Sequence, residues 1–337
     1  MKEALLYEKE KDQKVRCRAC HHHCLINEGQ RGICWVRENR QGTLYSLVYG
    51  KPIAAHVDPI EKKPLFHFLP GSTSFSLATA GCNFRCLFCQ NADISQAKDL
   101  KRIPGEVVPP EKIITAALQA ECRSIAYTYT EPTIFLEYAQ DVATLAREQG
   151  LRNVFVSNGF MTEASATELA GFIDADNLDL KSMKDDFYRK VCKARLQPVL
   201  DTIARLKQAG VWVEVTTLII PGHNDSPEEL TEIAQFIKSV GEGVPWHVTA
   251  FHPTFKMMDR PHTPAATLKK ARDLGFKAGL RYVYTGNIPG VLEGTENTYC
   301  YGCQELLIDR MGYAIRKYRL KDGKCPKCQA EIDGVWK

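Results

Sequence analysis

Between residues 73 and 290, short β-branched runs alternate with longer helix-patterned stretches about six times. The strand candidates are TSFSLATA, RSIAYTYT, RNVFVS, ADNLDLK, VWVEVTTLII and PWHVTAF, with RYVYTG as a further one. EKIITAALQA, TIFLEYAQDVATLAREQG, EASATELAGFI, VLDTIARLKQAG, SPEELTEIAQFIKSV and PAATLKKARDLGFKAG lie between them with helical patterning. Several of these end in Gly, as helix C-termini do, and Ser226 with Pro227 suits a helix start. Repeated strand–helix units demand parallel pairing through right-handed crossovers, so the chain is α/β. A full or partial barrel fits best, because chemistry-bearing residues stand just after the strands, where the βα-loops of a barrel gather. A doubly wound open sheet is the alternative; the lack of a Gly-rich phosphate loop after the first strand weighs against it.

The chain has 337 residues, enough for one large core with small appendages. Its patterning divides into a Cys-rich N-terminal segment and loop (1–72), the barrel (73–290) and a cysteine-punctuated C-terminal piece (291–337). No apolar run approaches a membrane span, and the opening MKEALLYEKEKDQK has no apolar signal region. A cytoplasmic location is therefore expected. The net charge of +4 is small and gives little reason to expect nucleic-acid binding.

Thirteen cysteines in a reducing compartment are poor candidates for disulfides. Eleven of them fall into three tight clusters, which reads as metal binding, while Cys122 and Cys192 read as small buried hydrophobes. The central cluster is GCNFRCLFCQN, with Cys82, Cys86 and Cys89 directly after the first strand. A four-iron cluster usually takes four cysteines, so three would leave one iron open to a small chelating molecule.

This C-x3-C-x2-C spacing, with Phe88 before the last cysteine, resembles the signature of the radical SAM superfamily. The resemblance implies a partial (β/α)6 radical SAM barrel and a [4Fe-4S] cluster on Cys82, Cys86 and Cys89. S-adenosylmethionine (SAM) would chelate the open iron and be cleaved reductively to a 5′-deoxyadenosyl radical. The later strand ends resemble the pyruvate formate-lyase activating enzyme branch. YTEPT, with Glu131, stands where the superfamily has a Gly-Gly-Glu type segment for the SAM amino group, though Tyr129 and Thr130 replace the glycines. VSNGF carries Asn158 at the end of the third strand. In LDLK, Asp179 would take the ribose hydroxyls and Lys181 the SAM carboxylate, with His252 of AFHP as a second carboxylate-facing group. Glu131, Asn158, Asp179, Lys181 and His252 are thus the expected cofactor-binding residues; none is singled out as catalytic. Val156 stands where the branch often has an Asp, which makes a cation site there doubtful.

Cys300, Cys303, Cys325 and Cys328 have the spacing of a closed zinc ribbon. Cys17, Cys20, Cys24 and Cys34, interrupted by His21, His22 and His23, suit zinc or an iron–sulfur cluster. In DPIEKKPLFHFLPG, the charged residues Asp58, Glu61, Lys62, Lys63 and His67 read as a solvated loop near the barrel mouth. The basic tail RKYRLKDGK raises RNA contact as an alternative.

Taken together, CRACHHHC, GICWVR, DPIEKKPLFHFLPG, GCNFRCLFCQN, YTEPT and LDLKSM resemble the radical SAM enzyme of the AmmeMemoRadiSam system. That family is related to glycyl-radical-enzyme activases. The likeness implies an activase-like enzyme abstracting hydrogen from a protein or peptide. Flavodoxin or ferredoxin would donate electrons, and Memo-like and AMMECR-like proteins would be companions. Radical modification of a small molecule, or RNA binding through the ribbon, are the other readings. Only Cys122 lies between Cys89 and Glu131, so the ferredoxin-like insert that many activases carry is absent.

Overall fold

The computed structural model describes residues 1–96 and 103–337. The N-terminal segment forms β1 (Lys2–Glu3), β2 (Tyr7–Lys9), β3 (Val15–Cys17), β4 (Leu25–Ile26), β5 (Arg37–Arg40) and β6 (Thr43–Ser46). These pair into two small three-stranded sheets, β1-β6-β5 and β2-β3-β4. The main sheet follows, with β7 (Pro52–Pro59), β8 (Thr73–Thr79), β9 (Ser124–Tyr127), β10 (Arg152–Ser157) and β11 (Ala175–Asp179). It is completed by β12 (Trp212–Ile219), β13 (Trp246–Ala250) and β14 (Val283–Gly286).

Strand order across this eight-stranded sheet is the chain order, from β7 to β14. A doubly wound sheet reverses direction at a switch point, and this one never does. The seven strands from β8 to β14 are parallel. Six crossovers carry α2 (Pro110–Gln119), α3 (Leu136–Glu148), α4 (Glu163–Ala170), α6 (Gln197–Gln208), α7 (Pro227–Val240) and α8 (Ala265–Ala278). Short turns α1 (Ala92–Ser95) and α5 (Asp185–Phe187) lie in the loops. The helical and strand patterning in the sequence thus maps onto real elements. TIFLEYAQDVATLAREQG is the exception in detail, since its first residues form a 3-10 turn, Pro132–Phe135, ahead of α3.

Local chemistry explains the elements. The β13 residues are all buried, as expected of a parallel strand covered on both faces. In α7, Leu230, Ile233, Ala234 and Ile237 form the buried stripe at helical spacing. Ser226 caps that helix by accepting from the Glu229 N–H at 3.2 Å, with Pro227 in the first turn.

Two features differ from the sequence reading. First, β7 adds an antiparallel edge to the sheet by pairing with β8. Second, DPIEKKPLFHF is not a solvated loop at the mouth. Asp58 sits opposite Ser74, near the start of β8, and the segment runs beneath the opposite end of the sheet. Asp58, Glu61, Lys63 and His67 are all buried. Their charges are compatible with burial because they answer one another. Glu214 accepts from the N–H groups of Phe66 and His67 at 3.0 and 2.8 Å and meets His247 Nε2 at 2.6 Å. Buried Arg310 donates to the Phe66 carbonyl at 2.8 Å.

The C-terminal piece contributes β15 (Thr298–Tyr299), β16 (Leu306–Met311) and β17 (Ala314–Tyr318), a three-stranded antiparallel sheet. It packs on the same base through Phe66, Tyr282 and Tyr284. The chain end returns there too, with Val335 bridging Phe68. Among the described residues, no helix is long and apolar enough to cross a membrane.

Candidate active site at the C-terminal strand ends

β8 ends at Thr79, and the loop that follows turns at Gly81, whose φ is +96°. A Cβ there would lie 2.8 Å from the Cys34 carbonyl oxygen, so glycine lets the N-terminal segment press directly against this loop. Cys82, Cys86 and Cys89 then project in a framework fixed by backbone contacts. Arg85 N donates to the Cys192 carbonyl at 2.9 Å and Leu87 N to that of Val191 at 3.1 Å. The Phe84 N–H points at Cys82 Sγ at 3.3 Å, and Ser95 Oγ lies 3.0 Å from Cys89 Sγ.

All three thiols have raised pKa values. Burial is the main cause for Cys82 and Cys89; for Cys86 it is the facing Cys192 thiol, followed by burial. Such sulfurs ionise when a bound cationic centre compensates them. They do not gather around a point: among the described residues, no three donor atoms here lie within 4.8 Å of one another. Three soft thiol donors on one loop are the ligand type an iron–sulfur cluster takes.

The neighbouring strand ends converge on this loop. Glu131, at the end of β9, is fully committed. One of its oxygens accepts from Thr133 N at 3.0 Å and Thr133 Oγ1 at 2.5 Å; the other accepts from Asn158 N at 2.8 Å. It thereby ties the end of β9 to that of β10. Burial pushes its carboxyl up to about 7. Asn158 donates through Nδ2 to Asn83 Oδ1 at 2.7 Å and lies 3.9 Å from Cys82 Sγ. Lys181 Nζ pairs with Asp179 Oδ2 at 2.7 Å and stands 5.7 Å over the Phe88 ring. Burial alone would lower the Lys181 pKa; Asp179, helped by Cys86 and Cys192, reverses this and holds it above the usual lysine value. Cys82, Asn158 and Glu131 thus form one linked group, and Cys86, Lys181 and Asp179 another.

His252 stands apart from both. It is exposed, with its Nδ1 2.7 Å from His262 Nδ1 and its Nε2 3.3 Å from the Asn287 carbonyl.

Three contributors were not evident from the sequence. Asn91 Nδ2 donates to the Tyr129 carbonyl at 2.7 Å, holding a backbone with φ +62° in the left-handed region. Its signal was the closing Asn of GCNFRCLFCQN. Asn83 bridges Cys82 to Asn158 and accepts at its carbonyl from His22. The Tyr129 hydroxyl reaches down to Asp58, which also takes Lys62 and Lys63 at 2.8 and 2.7 Å. Burial opposes the Asp58 charge, but these donors hold its carboxyl below the usual range. Burial also pushes the Lys63 ammonium down to about 8.

The Glu131 shift has a measurable sign. Folded Glu131 keeps its proton up to about 7, whereas the unfolded chain releases it near the ordinary value of 4.5. This group therefore makes stability fall as pH rises from about 4.5 to 7. Glu131→Gln should flatten that part of the curve, and thermal midpoints of the two proteins across the window check it. Superimposable curves would mean that Glu131 titrates normally.

At the base, Cys300, Cys303, Cys325 and Cys328 hold their sulfurs within 4.8 Å of one another. The Cys300–Cys328 and Cys303–Cys325 separations are 3.5 and 3.6 Å. Tetrahedral zinc with Zn–S of ~2.3 Å spaces its sulfurs about 3.8 Å apart, so this set fits one ion. Nearby, Arg319 pairs with Glu305 and Arg316 lies near Asp309, so carboxylates answer part of the basic tail. The remaining four, Cys17, Cys20, Cys24 and Cys34, line one cavity against the loop of Cys82.

The family model described as the radical SAM superfamily matches residues 76–237. An uncharacterized protein of Methanocaldococcus jannaschii, MJ0808, is 47% identical over 338 residues, covering 99% of this chain and 100% of its own length. The pyruvate formate-lyase 1-activating enzyme of Escherichia coli K12 is 23% identical over 180 residues, 51% of this chain and 73% of that one. Among solved structures, a radical SAM methyltransferase from Sphaerobacter thermophilus superposes with a TM-score of 0.53 at 16% identity, covering 65% of this chain and 68% of that one. The chain belongs to one family with MJ0808; within it residues 76–237 match the radical SAM superfamily model, and the likeness to the pyruvate formate-lyase activating enzymes is distant.

Proposed function

We propose that this protein cleaves SAM reductively and uses the product radical on a protein or peptide substrate, as glycyl-radical-enzyme activases do. The observation that carries the first half is the cysteine triad on the loop after the first parallel strand, with Asn158 and Lys181 beside its sulfurs. The second half is supported by the distant likeness to activating enzymes. When bound, the cluster and SAM supply a one-electron cleavage that yields a 5′-deoxyadenosyl radical for hydrogen abstraction.

The chain's own residues orient and shield. Cys82, Cys86 and Cys89 would hold three irons. Lys181 offers the SAM carboxylate an ammonium already fixed by Asp179, whose remaining oxygen is left for ribose hydroxyls. Glu131, with its oxygens occupied by backbone and Thr133, fixes the YTEPT segment and Asn158. His252, exposed beside His262, would reach SAM only from the rim. Electrons would come from a flavodoxin or ferredoxin in a reducing, cytoplasmic setting. Memo-like and AMMECR-like proteins are the first substrates or companions to try, on the strength of the segments shared with the AmmeMemoRadiSam enzymes.

The test is anaerobic reconstitution with iron and sulfide, reduction, and addition of SAM. The reduced-cluster resonance should change on SAM addition, and 5′-deoxyadenosine should form. A well-loaded cluster whose resonance ignores SAM would overturn the reading. Lys181→Met should weaken SAM binding about 10- to 100-fold, since hydrogen bonds to charged groups are worth roughly 1.5–3 kcal/mol. Titration of the resonance with SAM measures it.

A further inference from the structure

The four N-terminal cysteines are arranged unlike the four at the C-terminus. Cys17, Cys20, Cys24 and Cys34 line one small cavity together with Arg37 and Asn83. Among the described residues, the C-terminal four are the one set whose donor atoms all approach within 4.8 Å. Thiolates sharing a zinc ion would stand only about 3.8 Å apart. The N-terminal sulfurs instead stand back around a space.

Two buried donors face the same problem. Arg37 is 2% exposed and on the cavity wall, and its Nη1 has no hydrogen-bond partner. Its Nη2 is already taken by both Glu137 oxygens at 2.8 and 2.9 Å. Asn83, 1% exposed and also on the wall, has an unpartnered Nδ2. A buried donor left without an acceptor keeps its desolvation cost with nothing to offset it. An occupant bearing acceptor atoms on several faces, and net negative charge, would relieve both.

We propose that Cys17, Cys20, Cys24 and Cys34 bind a second [4Fe-4S] cluster, with Arg37 and Asn83 donating hydrogen bonds to its sulfur atoms. A zinc ion buried inside four thiolates exposes no inorganic sulfide and would need these sulfurs to draw in to about 3.8 Å from one another. A cubane presents sulfide to both donors, and such hydrogen bonds tune its potential. The site adjoins the triad without sharing ligands. Asn83 follows Cys82 in the chain, and His22 Nε2 lies 2.8 Å from the Asn83 carbonyl. The assignment does not depend on the SAM-cleavage reading.

The experiment uses the full chain carrying Cys82/Cys86/Cys89→Ser, reconstituted anaerobically with iron and sulfide. Iron, sulfide and zinc are counted per chain, and resonance spectra of the reduced protein are taken with and without SAM. The expected result is about four irons and four sulfides, against about eight of each in the unaltered protein, with a resonance indifferent to SAM. Adding Cys17→Ser and Cys34→Ser should bring iron to background. A complementary protein with only Cys17→Ser and Cys34→Ser should fall to about four irons and keep a SAM-sensitive resonance. Two zinc ions per chain with no sulfide in the triad variant would overturn the proposal. So would iron that persists when Cys17 and Cys34 are replaced.

Discussion

Replacing Cys82, Cys86 and Cys89 together with Ser should reduce 5′-deoxyadenosine formation from SAM to the level of buffer alone. The serines keep the size of the side chains, and the loop has other supports. Arg85 and Leu87 bond to the 191–192 backbone, and Arg85 Nη1 donates to the Cys82 and Phe84 carbonyls at 2.6 and 2.8 Å. What the substitution removes is the soft thiolate donor set that iron–sulfur clusters require. Mass spectrometry of the reduced reaction measures the product, and far-ultraviolet circular dichroism shows that the barrel persists. Product from the variant would mean that the triad does not hold the reacting centre.

The second large effect is expected at the opposite end. Stripping metal from Cys300, Cys303, Cys325 and Cys328, by chelation or by Cys300→Ser with Cys325→Ser, should unfold residues 293–337. The piece is three short strands with a small apolar core of Cys300, Leu307, Ile308, Leu320, Cys325 and Ile332. Burial would raise the Cys325 pKa, but the backbone N–H groups of Cys328 and Lys327 bring it to about 7, ready to bind metal. Structural zinc supplies on the order of 10–16 kcal/mol in small domains, more than such a core can replace. Its loss would uncover the base, where His67 Nε2 meets the Tyr284 hydroxyl at 2.6 Å and Arg310 lies buried. Limited proteolysis should cut within 293–337, and the thermal midpoint should drop. A chelated protein as resistant as the intact one would show that the hairpins stand without metal.

The parallel α/β alternation was legible in the sequence because its two periodicities are local properties. Six strand–helix units were visible from the patterning, and their parallel winding follows from chain connectivity. The cysteine clusters were legible as well, because short spacing along the chain limits how far apart their sulfurs can lie. The place of the triad after β8 and the grouping of the C-terminal four needed only short-range reading.

Other features could be decided only in three dimensions. Whether a charge is solvated depends on what lies across from it, and Asp58 and Lys63 are buried because Tyr129, 71 residues from Asp58, covers them. The base is plugged by Phe66 and His67 meeting Glu214 and the chain end, contacts between segments hundreds of residues apart. The same distinction separates the two flanking cysteine sets. Each has four cysteines at metal-binding spacing. The C-terminal sulfurs converge to the span of one ion, while the N-terminal ones surround a cavity walled by Arg37 and Asn83. Spacing fixes which cysteines can share a site; how far apart the packed backbone holds their sulfurs, and which donors it turns toward them, decides what the site can hold.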